Sequence, residues 1–136
     1  MFVDTSIWYA AADDGDAHNE VARSLLTEAA GALVTSDLVL AELWNLLSAR
    51  SHHHTANRVV AAVAAEVARV ECATEADLRA AAVALAAFPD QAFSLTDRTS
   101  WALMERLGIT DALALDADFR VYRYGPERRQ AFTVRP

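Results

Sequence analysis

Short β-favouring runs alternate with longer helical patterns along this chain, and that alternation restricts the fold more than any other feature of the sequence. A strand that must wait a dozen or more residues for its next strand pairs in parallel, so the expected class is α/β with a largely parallel sheet. Residues 1–4 form the first expected strand, followed by the helix-capping types Thr5 and Ser6 and then by an apolar turn, Ile7-Trp8-Tyr9. A turn at 13–16 leads to a helix over 17–30, ended by Gly31, and residues 32–35 read as a second strand. Ser36 is placed to cap a helix over 37–50 whose circumference is mostly apolar, and another helix follows at 57–68. Residues 69–73 are a weak strand signal. Thr74-Glu75-Ala76-Asp77 resembles a capping box opening a helix that stops before Pro89. The last third predicts a helix over 94–108, a buried strand at 112–115 ending in Asp116, and a final strand at 132–134.

With 136 residues, 54% apolar, and no repeat or internal linker, the expectation is one domain spanning 1–136. The longest apolar stretch, 59–70, is broken by Glu66 and Arg69, which argues against a membrane span. The start MFVDTSIW has no basic leader, and a single cysteine, Cys72, permits no internal disulfide, so the expected location is cytoplasmic, with Cys72 an inert buried thiol. A net charge of −7 argues against a nonspecific nucleic-acid coat. All 12 basic residues are arginine, which removes the lysine-dependent chemistries of Walker-type nucleotidases, Schiff-base enzymes and receiver domains. The absence of a GxGxxG run speaks in the same way against a nucleotide cofactor.

The chemistry lies in where the carboxylates fall. Asp4 ends the first strand, the edge at which open parallel sheets bind ligands; its competing reading is an ordinary helix-capping aspartate. Glu42 has Leu38, Val39, Asn45 and Leu46 as helical neighbours, so it sits on an apolar surface where an unpaired charge costs several kcal/mol. It requires a cation, or an arginine partner, and Asn45, one turn on, is placed to orient it. Asp97 opens a helix, where the helix dipole favours an acid whatever its task, and Ser100 shares its face. Asp116 ends a buried strand beside a second acid, Asp118. Converging carboxylates repel; a hard divalent cation that prefers oxygen, Mg²⁺ or Mn²⁺, lets all of them ionise.

These blocks together resemble the PIN-domain family, and within it the VapC-type toxins of toxin–antitoxin pairs. The resemblance rests on FVDTSIW, on SDLVLAELWNLL with Glu42, on SLTDRTSWALMERLGI with Asp97 and Ser100, and on ALALDADFRVYRYG with Asp116. It implies a three-layer α/β/α sandwich and a ribonuclease dependent on Mg²⁺ or Mn²⁺, with one ion or two. Asp4, Glu42, Asp97 and Asp116 would be the catalytic and metal-binding acids. Thr5, Ser6 and Ser100 match polar positions beside them, and Asp118 is left as an auxiliary acid. Hydrolysis by water would leave 5′-phosphate and 3′-hydroxyl ends. The implied partners are RNA, a cognate antitoxin that occludes the site, and a second copy in a homodimer.

Other features are given structural readings. His52-His53-His54 reads as a solvated junction between helices, because consecutive helical residues diverge and cannot close one chelate. Trp8, Tyr9, Trp44 and Trp101 are assigned to packing before base stacking. Arg98, Arg120 and Arg123 have two readings, contacts to RNA phosphates and exposed helix or turn residues. Two further functions compete with the toxin nuclease: a non-cleaving PIN module that masks RNA or a protein, and a housekeeping RNA- or DNA-processing nuclease.

Overall fold

A computed structural model describes all of residues 1–136. Five strands form one sheet: β1 (Phe2–Val3), β2 (Val34–Ser36), β3 (Arg69–Glu71), β4 (Asp111–Leu113) and β5 (Thr133–Arg135). Their spatial order is β3-β2-β1-β4-β5, and every pair is parallel. The helices are α1 (Thr5–Ala12), α2 (Asn19–Glu28), α3 (Asp37–Arg50), α4 (His53–Ala62), α5 (Glu75–Ala87), α6 (Leu95–Leu107) and α7 (Asp118–Val121). From β1 the chain steps outward through β2 to β3, then returns across the sheet to β4. Right-handed crossovers therefore put α1 to α4 on one face and α5 and α6 on the other, the three-layer α/β/α sandwich. The direction of winding reverses between β1 and β4, so the carboxyl ends of these two adjacent strands flank the crevice of an open α/β sheet.

The centre of the sheet is fully apolar: Phe2 and Val3 of β1 and Ala112 and Leu113 of β4 are all 0% exposed. Beneath it, Trp101 of α6 stacks on Tyr122 at 4.2 Å and meets Phe93 and Phe119 edge-on at 4.7 and 5.7 Å. Trp8 is buried and its indole N–H donates to Thr35 Oγ1 at 3.2 Å, while Thr35 itself donates to the Val3 carbonyl. Packing thus accounts for Trp8 and Trp101. Trp44 is half-buried, stacked on His53 and hydrogen-bonded to Asn57. Tyr9 is half-buried with Arg50 over its ring.

Several boundaries differ from the sequence reading. Ile7-Trp8-Tyr9 is not a turn but the middle of α1, which Asp4, not Thr5 or Ser6, caps. The helix expected over 17–30 is shorter, since the turn at Asp16 and His18 holds the chain until Asn19. The helix expected from residue 57 starts at His53, after extended His52, and ends in a π turn, Val63–Val67. His52, His53 and His54 are all exposed, but two of them open α4 instead of forming a junction. Strand β4 ends at Leu113, two residues early, and Cys72 is exposed, not buried, because it follows β3 at the edge of the sheet. Ser36, the two capping boxes at Thr74–Asp77 and Ser94–Asp97, and Gly108 with φ of 67° mark the other helix ends. No helix is long and apolar enough to cross a membrane.

Candidate metal centre

Two adjacent strand ends and one helix start bring three carboxylates together. The pairing Val3↔Leu113, extended by the Asp4 N–H donating to the Leu113 carbonyl at 3.0 Å, sets the segment after β1 beside the segment after β4. Asp97 enters from the first turn of α6. One carboxylate oxygen from each of Asp4, Asp97 and Asp116 lies within 4.8 Å of the others. They line a cleft of about 250 Å³ together with Thr5, Ser6, Glu42, Leu46 and Ser94.

Each acid is held by its own local structure. Asp4, 3% exposed, caps α1: its Oδ2 accepts the Ser6 N–H at 3.0 Å and the Ser6 hydroxyl at 2.6 Å. The capping and cleft-lining readings of Asp4 therefore describe one arrangement. Asp97 Oδ2 accepts the Ser94 N–H at 2.9 Å while the Ser94 hydroxyl accepts the Asp97 N–H, a reciprocal capping box. Asp116 Oδ1 accepts the Asp118 N–H at 3.1 Å. Glu42, half-buried, accepts the Thr5 hydroxyl on Oε2 and has no arginine partner. It lines the cleft from α3 but stands outside the group of three.

The expected support from Asn45 is absent. That side chain is exposed and forms no hydrogen bond with Glu42, because Thr5 on the neighbouring helix reaches the carboxylate first. Ser100 is fully buried with an unpartnered hydroxyl and does not line the cleft. Asp118 is half-buried and does not line the cleft; its main-chain N–H donates to Asp116 Oδ1. The three arginines are drawn to main-chain carbonyls: Arg98 to Ser94 and Ala81, Arg120 to Asp116, and Arg123 to the end of α7. Of the other cleft residues, Ser94 was legible as the first member of an S-x-x-D capping pattern, whereas Leu46 carries no such signal.

Burial dominates the electrostatics. Desolvation pushes the Asp4 carboxyl up to about 7, against the lowering effect of the two Ser6 hydrogen bonds, with the charges of Asp116 and Asp97 adding to the rise. Desolvation likewise raises Asp97, again opposed by Ser94, and raises Asp118 beside Asp97 and Asp116. No arginine forms an ion pair with any of the three clustered acids. Three oxygen donors without a protein counter-charge fit a hard divalent cation. A larger cleft, about 600 Å³ between α5 and the segment after α7, holds Glu105, Glu127 and Arg128 but no comparable set of acids.

A parallel sheet with acids converging at its switch point is the arrangement of the PIN domain, and the PIN domain family matches residues 1–123. The chain belongs to that family. Over 120 residues it is 39% identical to the 23S rRNA-specific endonuclease VapC20 of Mycobacterium tuberculosis, from strains CDC 1551 / Oshkosh and H37Rv, covering 88% of this chain and 91% of that protein. The crystal structure of Mycobacterium tuberculosis VapC20, a sarcin-ricin loop cleaving toxin, matches with a TM-score of 0.82 at 37% identity, over 88% of this chain and 92% of the other. VapBC2 from Rickettsia felis, solved bound to a DNA fragment from their promoter, shares the fold with a TM-score of 0.71 at 11% identity, over 98% and 96% of the two chains.

Proposed function

We propose that residues 1–136 act as one metal-dependent endoribonuclease unit, the toxin of a type II toxin–antitoxin pair, with Asp4, Asp97 and Asp116 as the ligands of Mg²⁺ or Mn²⁺ and Glu42 as the fourth acid of the site. The observation that carries this reading is the approach of three carboxylate oxygens to within 4.8 Å at the sheet's switch point. A relative named as a 23S rRNA-specific endonuclease, 39% identical over 88% of this chain, supports it. A bound ion of this kind lowers the pKa of water and neutralises charge on a phosphodiester.

The chain's own residues do the rest. Asp4, Asp97 and Asp116 would hold such a cation at the cleft, where it would draw a scissile phosphate. Glu42, steadied by Thr5, faces the same cleft and is placed to orient an attacking water. Arg120, exposed at the rim beside Asp116, retains donors for an RNA phosphate beyond the one on the Asp116 carbonyl. Arg123 and Arg98 are further candidates for backbone contacts. Hydrolysis by water gives 5′-phosphate and 3′-hydroxyl ends. The substrate we assign is structured ribosomal RNA, the sarcin-ricin loop of 23S rRNA first, by similarity to VapC20. A cognate antitoxin, a homodimer and a cytoplasmic location complete the reading.

The test is incubation of antitoxin-free protein with total RNA and with intact ribosomes, with and without Mg²⁺ or Mn²⁺, beside Asp97→Asn, followed by sequencing of new ends. Discrete metal-dependent cuts carrying 5′-phosphates and lost in the variant are expected. RNA that is bound but intact under every metal would replace this reading by that of a masking module.

A further inference from the structure

We propose that the cleft of about 600 Å³ between α5 and the segment after α7 is a second RNA subsite, which takes an unpaired guanine read by Glu105 and Arg128. The inference rests on the reading of the chain as an RNA-cutting enzyme and adds a point of base recognition away from the acids.

The segment after β4 links the two clefts. It begins at the acids, where Arg120 donates to the Asp116 carbonyl at 3.2 Å, and then lines the larger cleft with Tyr122, Tyr124, Gly125, Glu127 and Arg128. Tyr122 is six positions after Asp116. Even a fully extended main chain covers only about 20 Å over that interval, so a strand whose phosphate lies at the acids reaches the second cleft within a few nucleotides. The way between them is basic. Residues 120–129 hold four of the chain's 12 arginines against one acid, in a chain of net charge −7. Arginines so placed suit the phosphates of a passing strand.

The lining suits a flat base. Tyr124 is half-buried, with one ring face stacked on Phe132 at 4.5 Å and no aromatic partner on the other, and α5 supplies Ala80, Val83 and Ala84. Val83 is 63% exposed, apolar surface that a base would cover. Unpaired RNA bases stack on aromatic side chains and are read along their edges. Glu105 and Arg128 decide which base fits. Glu105 Oε1 accepts the Tyr122 hydroxyl at 2.9 Å, while Oε2 has no protein donor. Burial and this carboxylate hold the Tyr122 phenol above its usual range, so the phenol remains a donor and keeps Glu105 in place. Arg128 lies over the Phe88 ring at 5.2 Å, and its guanidinium forms no hydrogen bond or ion pair within the protein. Guanine alone presents two adjacent donors, N1–H and N2–H, to a carboxylate and two adjacent acceptors, O6 and N7, to an arginine. Adenine, cytosine and uracil each give the carboxylate a single donor group.

The rim is held in a conformation that side chains avoid. Glu127 and Arg128 have φ of 55° and 52°, and at Gly125, φ 71°, a Cβ would come within 2.7 Å of the Gln130 side chain. The antiparallel bridge between Tyr124 and Gln130 closes this loop and keeps Arg128 at the cleft. Backbone held in this way clusters at ligand clamps.

The test reads base binding without metal, so that no ion anchors a phosphate at the acids. The 5′-monophosphates of guanosine, adenosine, cytidine and uridine are titrated into isotope-labelled full chain, as wild type, Glu105→Gln and Arg128→Gly, and the amide resonances of residues 122–128 are followed. The guanosine nucleotide should shift them and bind about tenfold more tightly than the other three, within what one good two-bond base contact contributes to discrimination. Glu105→Gln keeps an acceptor for Tyr122 but turns a donor toward the base, and should erase the preference for guanine. Arg128→Gly suits the positive φ, so it should fold as wild type does and weaken guanosine nucleotide binding by about tenfold. Equal binding of all four nucleotides, shifts absent from residues 122–128, or a Glu105→Gln variant that still prefers guanine would overturn the proposal. RNA ends mapped in parallel with metal keep the two readings apart. Cuts without guanosine nucleotide binding at this cleft remove the subsite alone, and binding without cuts removes the nuclease alone.

Discussion

Asp4 is held protonated well above the usual carboxylate range by burial, and this ties the stability of the metal-free protein to pH. Its folded-state value of about 7 lies above its ordinary 3.8, so the proton stabilises the fold. The contribution is complete below about pH 4 and is lost as pH rises through 7, at about 1.4 kcal/mol per pH unit and about 4 kcal/mol in all. Urea denaturation of wild type and Asp4→Asn at pH 5 and pH 8 isolates this group from the others. The variant should be more stable than wild type at pH 8, by about 4 kcal/mol, and the gap should narrow to about 1.5 kcal/mol at pH 5. Parallel pH dependence in the two proteins would refute the assignment. Mg²⁺ should bind wild type more tightly as pH rises past 7, because the ion must displace the Asp4 proton below it. Glu42→Gln, which keeps an acceptor for Thr5, should fold normally and lower RNA cleavage by about 10–100-fold.

Between elements, the strongest polar tie joins α5 to α6. Asp77, buried in the first turn of α5, accepts Arg106 Nε at 3.0 Å and a second guanidinium nitrogen at 2.9 Å, and also holds the Thr74 N–H. Burial alone would raise its carboxyl, but the Arg106 and Thr74 hydrogen bonds prevail and hold it below the ordinary value. That contribution is present at neutral pH and is lost as pH falls below the carboxylate range. Arg106→Met should leave Asp77 buried without its cation and cost about 2–3 kcal/mol in denaturant unfolding at pH 7. An unchanged midpoint would show that water replaces the guanidinium. The elements themselves were largely legible: Ser36, Thr74–Asp77, Ser94–Asp97 and Gly108 are local signals whose geometry does not depend on distant contacts. Tertiary choices were not. Whether Glu42 is held by Asn45 one turn away or by Thr5 on another helix depends on how α1 packs against α3, and helical spacing alone favoured the wrong partner. Arg98 was read by its nearness to Asp97 in sequence, yet its guanidinium also spans to the Ala81 carbonyl across the α5–α6 contact.

Over the whole molecule, Trp101 concentrates the packing beneath the sheet while its indole N–H has no partner. Trp101→Ala should therefore cost about 3–5 kcal/mol, whereas Trp101→Phe, which gives up no hydrogen bond, should cost less than half as much. Thermal unfolding of the two variants compares them directly, and equal losses would mean the indole nitrogen matters after all. The convergence of Asp4 and Asp116 was readable from sequence only as a condition, that their strands be neighbours; the order β3-β2-β1-β4-β5 meets it. That order also governs when the acids meet during synthesis. The strand that anchors the main chain of Asp4, and Asp116 beyond it, lie 107 or more positions further along the chain and are therefore made later than Asp4. A growing chain can carry Asp4, Glu42 and Asp97 and still lack the crevice that assembles them.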